Sequence, residues 1–342
     1  MDKAHSSLHI LVATGIYPPD IGGPSQYAKN LEAVWRAEGH LVAVRFFRFE
    51  RRLPAGFRHV WYFFKILPAA ARADIVFALD TFSAAVPAAL AARLFGKPLI
   101  VRVGGDFLWE GYVERTNDLV LLRNFYESSL AKLSGKERLI FRLTRFVMRQ
   151  ASAIVFSTIW QKAIWQEPYR LTSGKIFVVE NYYGPKEKSF PPAKKNFLAG
   201  TRPLKWKNQA RLKEAFSVAM EKEDKLEYDN TTTPFDAFMD KLARSYAVIL
   251  PSLGDVSPNL ILDAIRHDKP FILTRETGLY ERVKSCALFV DPESVTDIAE
   301  KILRLSLPEH YAEQKKKIEA FTFKHSWQEI AAELLAIFDQ AR

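Results

Sequence analysis

Asp255 and Asp263 lie on either side of a predicted helix start, an arrangement that could bind phosphates and hydroxyl groups together. A helix N-terminus that follows a strand presents unpaired N–H groups and a partial positive charge, which favour a phosphate. The two carboxylates would accept hydrogen bonds from hydroxyl groups. The alternative is an ordinary junction between a strand and a helix, with two solvated aspartates.

A buried strand and a short polar loop must position these carboxylates. Residues 246–250 are rich in β-branched and aromatic side chains, which is typical of a strand covered on both faces. Pro251 and Gly254 interrupt the run. Ser257 followed by Pro258 predicts an N-cap with proline at the first helical position, where a missing N–H costs nothing.

Two other loops of chemical interest follow predicted strands in the first half of the chain. Gly22 and Gly23 follow the first strand, where the absence of a Cβ would let a ligand approach the backbone. Their loop does not match G-x-G-x-x-G, which disfavours a dehydrogenase-type dinucleotide site. Asp106 and Glu110 follow a later strand and should face the same opening. The alternative for them is an acidic surface loop.

Two cations, Arg202 and Lys207, follow the strand predicted at residues 196–199. Guanidinium and ammonium groups are the usual partners of phosphate oxygens. No cluster of metal ligands is evident in the sequence.

The alternation of strands and helices predicts an α/β fold with parallel sheets covered on both faces. The 342 residues suggest two domains. We expect a first domain over residues 1–183, joined late in the chain by a C-terminal helix at 325–342. A linker rich in proline and lysine occupies residues 184–193, and a second domain follows at 194–324.

The composition restricts the compartment and the partners. The net charge of +10 favours polyanions or anionic membrane surfaces, and nucleic acid is disfavoured because no recognition motif is present. The basic helical stretch at residues 119–150 could lie on a membrane, although a packed helix with a solvated flank is the favoured interpretation. We see neither a signal peptide nor a membrane anchor, and Cys286 is the single cysteine, so we expect a cytoplasmic protein.

Four ordered motifs carry a family resemblance: YPPDIGG at 17–23, VGGDFLWE at 103–110, R-x₃-WK at 202–207, and two aspartates separated by seven residues at 255–263. Together they resemble glycosyltransferase family 4, in the branch whose loop carries Gly-Asp and then Trp-Glu. The resemblance implies a GT-B fold, in which two Rossmann-like domains face each other across a cleft and a C-terminal helix crosses back to the first domain. It also implies retention of the sugar's anomeric configuration.

The resemblance assigns roles to the residues that match the family's motifs. Four residues would be catalytic. Arg202 and Lys207 would bind the donor diphosphate, Asp255 would bind the donor sugar, and Asp106 would lie near the reacting centre. Donor binding would also involve Gly22, Gly23, Asp263 at the ribose, and the helix start formed by Ser257, Pro258, Asn259 and Leu260. The acceptor side would include Asp106, Trp109 and Glu110.

The sequence departs from the family pattern at three places. Asp255 and Asp263 replace the usual glutamates, so each carboxylate reaches one methylene less far. Asn208 replaces the glycine that usually follows the lysine. The span between Met220 and Leu226 is short, so we expect a donor-binding domain trimmed by about one strand–helix unit.

The function that the resemblance implies is sugar transfer from a nucleotide-diphosphate donor to a glycan or lipid-linked acceptor, as in polysaccharide biosynthesis. We expect a retaining hexosyltransferase that needs neither a metal nor a cofactor and that sits in the cytoplasm, peripherally on the inner face of the membrane. Two alternatives remain open: a non-catalytic relative that binds a glycan, nucleotide or partner protein, and a sugar-nucleotide epimerase. The sequence does not name the base, sugar or acceptor.

Overall fold

The protein is described by a computed structural model that covers residues 7–20, 22–200, 202–231 and 233–341. Its contacts divide the chain into two units. Unit 1 is built from the chain up to Leu108, from Leu133–Tyr182 and from the chain from His325 onward. Unit 2 is built from Trp109–Lys132 and Tyr183–Lys324.

The described part of unit 1 contains one sheet of six parallel strands in the order β2-β1-β3-β4-β5-β6. The strands are β1 His9–Thr14, β2 Leu41–Phe46, β3 Ile75–Ala78, β4 Leu99–Val103, β5 Ala153–Phe156 and β6 Ile176–Val178. After β2 the chain crosses to the other side of β1, so the direction in which strands are added to the sheet switches between β1 and β3. Every residue of β3, β4 and β5 is buried, as expected for central strands covered by helices on both faces.

Seven α-helices lie wholly or partly in the described part of unit 1. They are α1 Gly23–Ala37, α2 Ala55–Arg72, α3 Ala85–Leu94, the start of α4 Phe107–Thr116, α6 Gly135–Gln150, α7 Ile159–Gln166 and α14 Trp327–Ala341. A capping box between Ser134 and Glu137 starts α6. After α1, Gly39 takes a φ of +89°, a left-handed conformation that favours glycine.

The C-terminal helix α14 is part of the core of unit 1. Ile330 and Phe338 are completely buried in the same cluster as Trp35 of α1. The indole N–H of Trp35 donates to the carbonyl of Ala331 at 3.4 Å, and the ring of Trp327 stacks on Tyr182. The chain therefore returns to the first unit at its end, as the sequence predicted.

Unit 2 contains, in its described part, a second sheet of five parallel strands in the order β11-β10-β9-β7-β8. The strands are β7 Lys195–Leu198, β8 Leu226–Asp229, β9 Ala247–Leu250, β10 Phe271–Thr274 and β11 Leu288–Val290. The helices are the rest of α4, α5 Leu122–Ser128, α8 Gln209–Met220, α9 Phe235–Arg244, α10 Asn259–Arg266, α11 Tyr280–Val283, α12 Val295–Ser306 and α13 Pro308–Glu319.

The prediction of an α/β protein with two parallel sheets is confirmed, and the structure adds detail to two of the predicted segments. Residues 119–150 form two helices separated by a 3₁₀ turn, because α5 ends before the capping box that starts α6. Trp109–Lys132 belongs to unit 2 by its contacts, whereas the sequence analysis placed it in the first domain. The predicted boundary residues 183, 194 and 324 remain predictions for a division into functional domains.

Candidate functional site

The loops that carry Lys207 and Asp255 leave neighbouring strands of unit 2 at one end of its sheet. The first loop follows β7, which leads into α8, and the second follows β9. Strands β7 and β9 are adjacent, and the chain crosses between them because β8 lies on the far side of β7. This is the topological switch point of the sheet, where ligands of open α/β folds bind beyond the carboxyl ends of the strands.

The structure brings Lys207 and Asp255 into direct contact. The ammonium Nζ of Lys207 lies 2.6 Å from Oδ2 of Asp255, and the two side chains are only 13% and 11% exposed. The hydroxyl of Ser252 donates to the same carboxylate oxygen at 3.1 Å. The Lys207 ammonium also lies 4.2 Å from the centre of the Trp206 ring. The pair is therefore held in one place and largely shielded from water, so its electrostatic interactions are strong.

Backbone hydrogen bonds fix the loop around Asp255. Its N–H donates to the carbonyl of Glu276 at 2.9 Å, and its own carbonyl accepts from the N–H of Gly278 at 3.1 Å. The N–H of Leu253 donates to the carbonyl of Trp206 at 2.9 Å, which ties the two loops of the site together. Asp255 thus has little freedom to leave Lys207.

Asn208 holds the turn that presents Lys207 to the site. Its φ is +62°, which lies in the left-handed region that favours glycine and tolerates asparagine. The buried side-chain amide donates to the carbonyls of Pro251 and Pro292 at 2.9 and 2.7 Å. Asn208 therefore supplies the conformation that the resembling family obtains from glycine, and it adds two tethers to the neighbouring loops.

The start of α10 differs from the sequence prediction. The helix runs from Asn259, the capping position is occupied by Pro258 in an extended conformation, and no side chain caps it. The predicted N-cap at Ser257 is therefore wrong by one residue. The carbonyl of Pro258 accepts the N–H groups of Ile261 and Leu262. The N–H groups of Asn259 and Leu260 come directly before these first helical bonds, so they belong to the helix start, where N–H groups have no partner within the helix.

Asp263 lies inside α10 and contacts a cation of the same helix. Its carboxylate is 3.0 Å from the guanidinium of Arg266, which also binds Glu187. Burial outweighs this neighbour and raises the pKa of Asp263 to about 7. In the structure the carboxylate of Asp263 contacts the guanidinium of Arg266, and its contact with a ribose stays a prediction.

We expect Asp263→Asn to change stability in a pH-dependent way. The folded pKa of about 7 exceeds the ordinary aspartate pKa of 3.8, so protonation of Asp263 stabilises the fold at low pH, and this contribution is lost as the pH rises through 7. Asparagine mimics the protonated acid. The variant should therefore gain stability relative to the parent between pH 5 and pH 8, by roughly 2 kcal/mol.

Urea unfolding at the two pH values measures this gain. Asp240→Asn is the matched control because Asp240 forms an ion pair with Arg244 on the surface of α9. An equal stability difference at both pH values for Asp263→Asn would contradict the raised pKa.

Arg202 lies on the same loop as Lys207 but does not share its contacts. The side chain is exposed, and in the described part of the chain its guanidinium forms no ion pair. The carbonyl of Arg202 accepts the N–H of Leu204 at 2.7 Å. Thr201 lies outside the described residues. Arg202 is thus an available cation near the site, and its contact with a diphosphate stays a prediction.

The glycine loop of unit 1 ends at the start of α1. Gly22 precedes the helix with a φ of +152° and a ψ of 157°, and its carbonyl accepts the N–H groups of Ser25 and Gln26. A Cβ at Gly22 would lie 3.1 Å from the side chain of Ile16. Both the backbone angle and the close approach therefore require glycine there. Gly23 is the first residue of α1, and Ile21 lies outside the described residues.

Asp106 is almost completely buried at the carboxyl end of β4 in unit 1. Its carboxylate accepts the indole N–H of Trp165 at 2.8 Å. The carbonyl of the preceding Gly105 accepts the side-chain amide of Gln161 at 3.2 Å. These contacts hold the loop on α7. They give Asp106 a structural partner, and its predicted place near the reacting centre is untested.

Trp109 supports the site in unit 2. It is buried, its indole N–H donates to the carbonyl of Val120 at 2.9 Å, and its ring centre lies 5.4 Å from that of Trp206. Glu110 follows it on α4. The acceptor-side roles of Trp109 and Glu110 remain predictions.

Sequence reasoning missed three residues that shape the site: Ser252, Trp206 and Gly254. A Cβ at Gly254 would meet the Cβ of Leu122 at 2.5 Å, so only glycine lets the β9 loop approach α5. In the sequence, Gly254 was recognised only as a residue that interrupts the predicted strand. Nothing in the local sequence indicates its distant contact.

Comparisons with solved structures define the class of the fold. Sucrose-phosphate synthase from Thermosynechococcus elongatus matches with a TM-score of 0.67 and 11% identity, covering 97% of this chain and 98% of that chain. WaaG, a glycosyltransferase involved in lipopolysaccharide biosynthesis, matches with a TM-score of 0.66 and 12% identity over 96% and 99%. Anabaena HepE in complex with UDP and glucose matches with a TM-score of 0.62 and 13% identity over 97% and 98%. The fold is that of the GT-B glycosyltransferases.

The family follows from the sequence of the first half. The glycosyl transferase 4-like domain matches residues 9–181, and the chain belongs to that family. No curated protein matches the chain significantly by sequence. The predicted resemblance to family 4 glycosyltransferases is confirmed at the level of the family and the fold.

Proposed function

We propose that the protein is a retaining glycosyltransferase that takes a sugar from a nucleotide-diphosphate donor. The observation that carries the proposal is the contact between Lys207 and Asp255 at the switch point of the unit 2 sheet, next to the uncapped start of α10. A cation and helix amides suit a diphosphate, and a carboxylate suits the hydroxyls of the attached sugar. HepE, which shares the fold, has been crystallised with UDP and glucose.

The proposed chemistry needs charge stabilisation more than a protein nucleophile. The bond between the anomeric carbon and the phosphate oxygen breaks, and the acceptor oxygen bonds to the same face of the sugar. The acceptor proton passes to the departing diphosphate. Lys207, Arg202 and the amides at the start of α10 would stabilise the developing negative charge, the kind of effect that often supplies the largest part of catalysis.

Asp255 would orient the sugar while Lys207 holds the phosphates. In the described structure the ammonium of Lys207 contacts the carboxylate of Asp255, and the diphosphate would bind the same ammonium group. Asp106 would lie near the reacting centre from its position after β4, and Asp263 would bind the ribose. Gly22 and Gly23 would leave room for the ligand beside the start of α1. The acceptor would be a glycan or lipid-linked sugar of polysaccharide biosynthesis, on the cytoplasmic side of the membrane.

A donor screen tests this proposal. UDP-, GDP- and ADP-sugars are incubated with the protein and a mixture of glycan and lipid-linked acceptors, and release of the nucleoside diphosphate is measured. We expect at least one donor to turn over, and we expect an excess of EDTA to leave the rate unchanged because cations of the protein replace a metal. Loss of turnover in EDTA that Mg²⁺ or Mn²⁺ restores would contradict metal independence.

A non-catalytic binding protein is the second candidate, and the shortened second unit favours it. Only five residues separate the end of α8 at Met220 from the start of β8 at Leu226. The resembling family places an additional strand and helix there. Binding of a nucleoside diphosphate without turnover, for every donor and acceptor, would support this candidate over the transferase.

A further inference from the structure

Helix α2 of unit 1 presents large apolar side chains to solvent. Phe57, Val60, Trp61 and Phe64 are 71%, 56%, 56% and 62% exposed, and Phe49, whose ring centre lies 6.3 Å from that of Trp61, is 56% exposed. The four helical residues are spaced i, i+3, i+4 and i+7, which places them on one face. A continuous apolar face of this kind on a folded protein marks an interaction surface. We call these five residues the α2 face.

Positive charge surrounds the α2 face. Residues 45–72 contain seven Lys or Arg and a single acidic residue, Glu50. Glu50 is paired with Lys65, and Arg51 is paired with Asp20. The remaining cations of this stretch have no carboxylate partner in the described part of the chain. The surface is therefore apolar in its centre and cationic around it.

A basic cavity lies at the C-terminal end of the same helix. It has a volume of about 520 Å³, and its lining includes Arg36, Arg45 and Arg72 together with Pro68 of α2. Pro68 and Arg72 continue the stripe of the α2 face, because they lie four and eight residues beyond Phe64. The cavity thus extends the apolar face with a site for anions.

We propose that the α2 face docks onto an anionic phospholipid bilayer. The aromatic side chains enter the boundary between headgroups and acyl chains. Arg36 of the cavity is paired with Glu32, so Arg45 and Arg72 are the cavity arginines that bind lipid phosphates. The charge favours this occupant over a second copy of the chain, because two such cationic faces would repel each other. The helix lies on the surface: among the described residues no helix is long and apolar enough to cross a bilayer. This binding is separate from the transferase chemistry proposed for unit 2.

Sedimentation of the full chain with vesicles tests the proposal. The vesicles contain phosphatidylcholine alone or phosphatidylcholine with phosphatidylglycerol. We expect binding to the anionic vesicles that weakens with salt, and little binding to the neutral ones. Phe57→Ser combined with Phe64→Ser should lower the partition coefficient about 100-fold, since moving one aromatic ring out of water is worth about tenfold.

Matched variants separate the α2 face from general surface effects. Phe235→Ser removes an aromatic residue that is 54% exposed on α9 of unit 2, and it should leave vesicle binding unchanged. Arg72→Glu should weaken binding about tenfold, and Arg304→Glu on α12 should not. All five substituted positions are on the surface, and urea unfolding confirms that each variant is folded.

Two results would overturn the proposal. One is that the protein fails to bind anionic vesicles at low salt, or that the α2 variants bind as well as the parent. The other is a concentration-dependent dimer, measured by light scattering, that the α2 variants abolish. That result would assign the α2 face to a second copy of the chain.

Discussion

Lys207→Ala is expected to lower kcat/KM for the donor by about 100- to 1000-fold, the loss that follows removal of one group stabilising transition-state charge. The ammonium is largely shielded from water and lies at the switch point of the unit 2 sheet. Among the described residues, Lys207 is the cation that the structure fixes at the proposed diphosphate site, and the substitution removes it. Steady-state kinetics with a donor from the screen measure the effect.

The control for Lys207→Ala is Lys213→Ala, which makes the same change at an exposed position on α8. Its kcat/KM should equal that of the parent. The Lys207 variant also leaves Asp255 without its cation, so a loss of stability is expected in addition. A fully folded Lys207→Ala protein with unchanged kcat/KM would contradict the assignment.

Gly254→Ala is expected to destabilise the protein by about 2 kcal/mol and to reduce transfer at the same time. The new Cβ would lie 2.5 Å from the Cβ of Leu122 and 3.2 Å from the ring of Trp109, so the β9 loop or α5 must move. The N–H of Leu122 donates to the carbonyl of Leu253 at 3.2 Å, and this bond would be strained as well. Because Asp255 is the next residue, the shift reaches the candidate site.

Gly111→Ala serves as the comparison for Gly254→Ala. Gly111 is in α4 of the same unit, and a Cβ there has no neighbour within 4 Å. Alanine in a helix is favoured over glycine by roughly 0.5–1 kcal/mol, so this variant should be slightly more stable than the parent. Urea unfolding curves would refute the packing argument if both variants changed stability in the same direction.

The sequence predicted the framework of the protein because that framework depends on local pattern. Apolar runs such as residues 247–250, broken by Pro251 and followed by an amphipathic helix, indicate buried parallel strands and their crossovers. Lys207 and Asp255 were singled out because they follow predicted strands, and the family resemblance assigned their roles. Their contact follows from strand order, which places β7 beside β9.

The sequence could not predict contacts between distant segments. The sequence predicted helical structure from residue 119 onward, but it did not show which core the segment Trp109–Lys132 joins. The fit of Gly254 against Leu122 is of the same kind, since it joins positions 132 residues apart. The exposure of the α2 aromatic side chains could not be predicted either, because a helical pattern does not show which of its residues remain in contact with solvent. The start of α10 shifted by one residue because Pro258 takes an extended conformation in place of a helical one.

The central claim is that Lys207 binds a diphosphate while Asp255 binds the sugar attached to it. Calorimetric titration with UDP, GDP and ADP, which carry no sugar, tests it most directly on the parent, Lys207→Ala and Asp255→Asn proteins. Both substitutions break the same ion pair. We predict that the nucleoside diphosphate that binds the parent binds Lys207→Ala about 100-fold more weakly, and that it binds Asp255→Asn as tightly as the parent or more so, because the ammonium is released for the phosphates. Equal affinities for the parent and Lys207→Ala, or equal losses in both variants, would contradict the account.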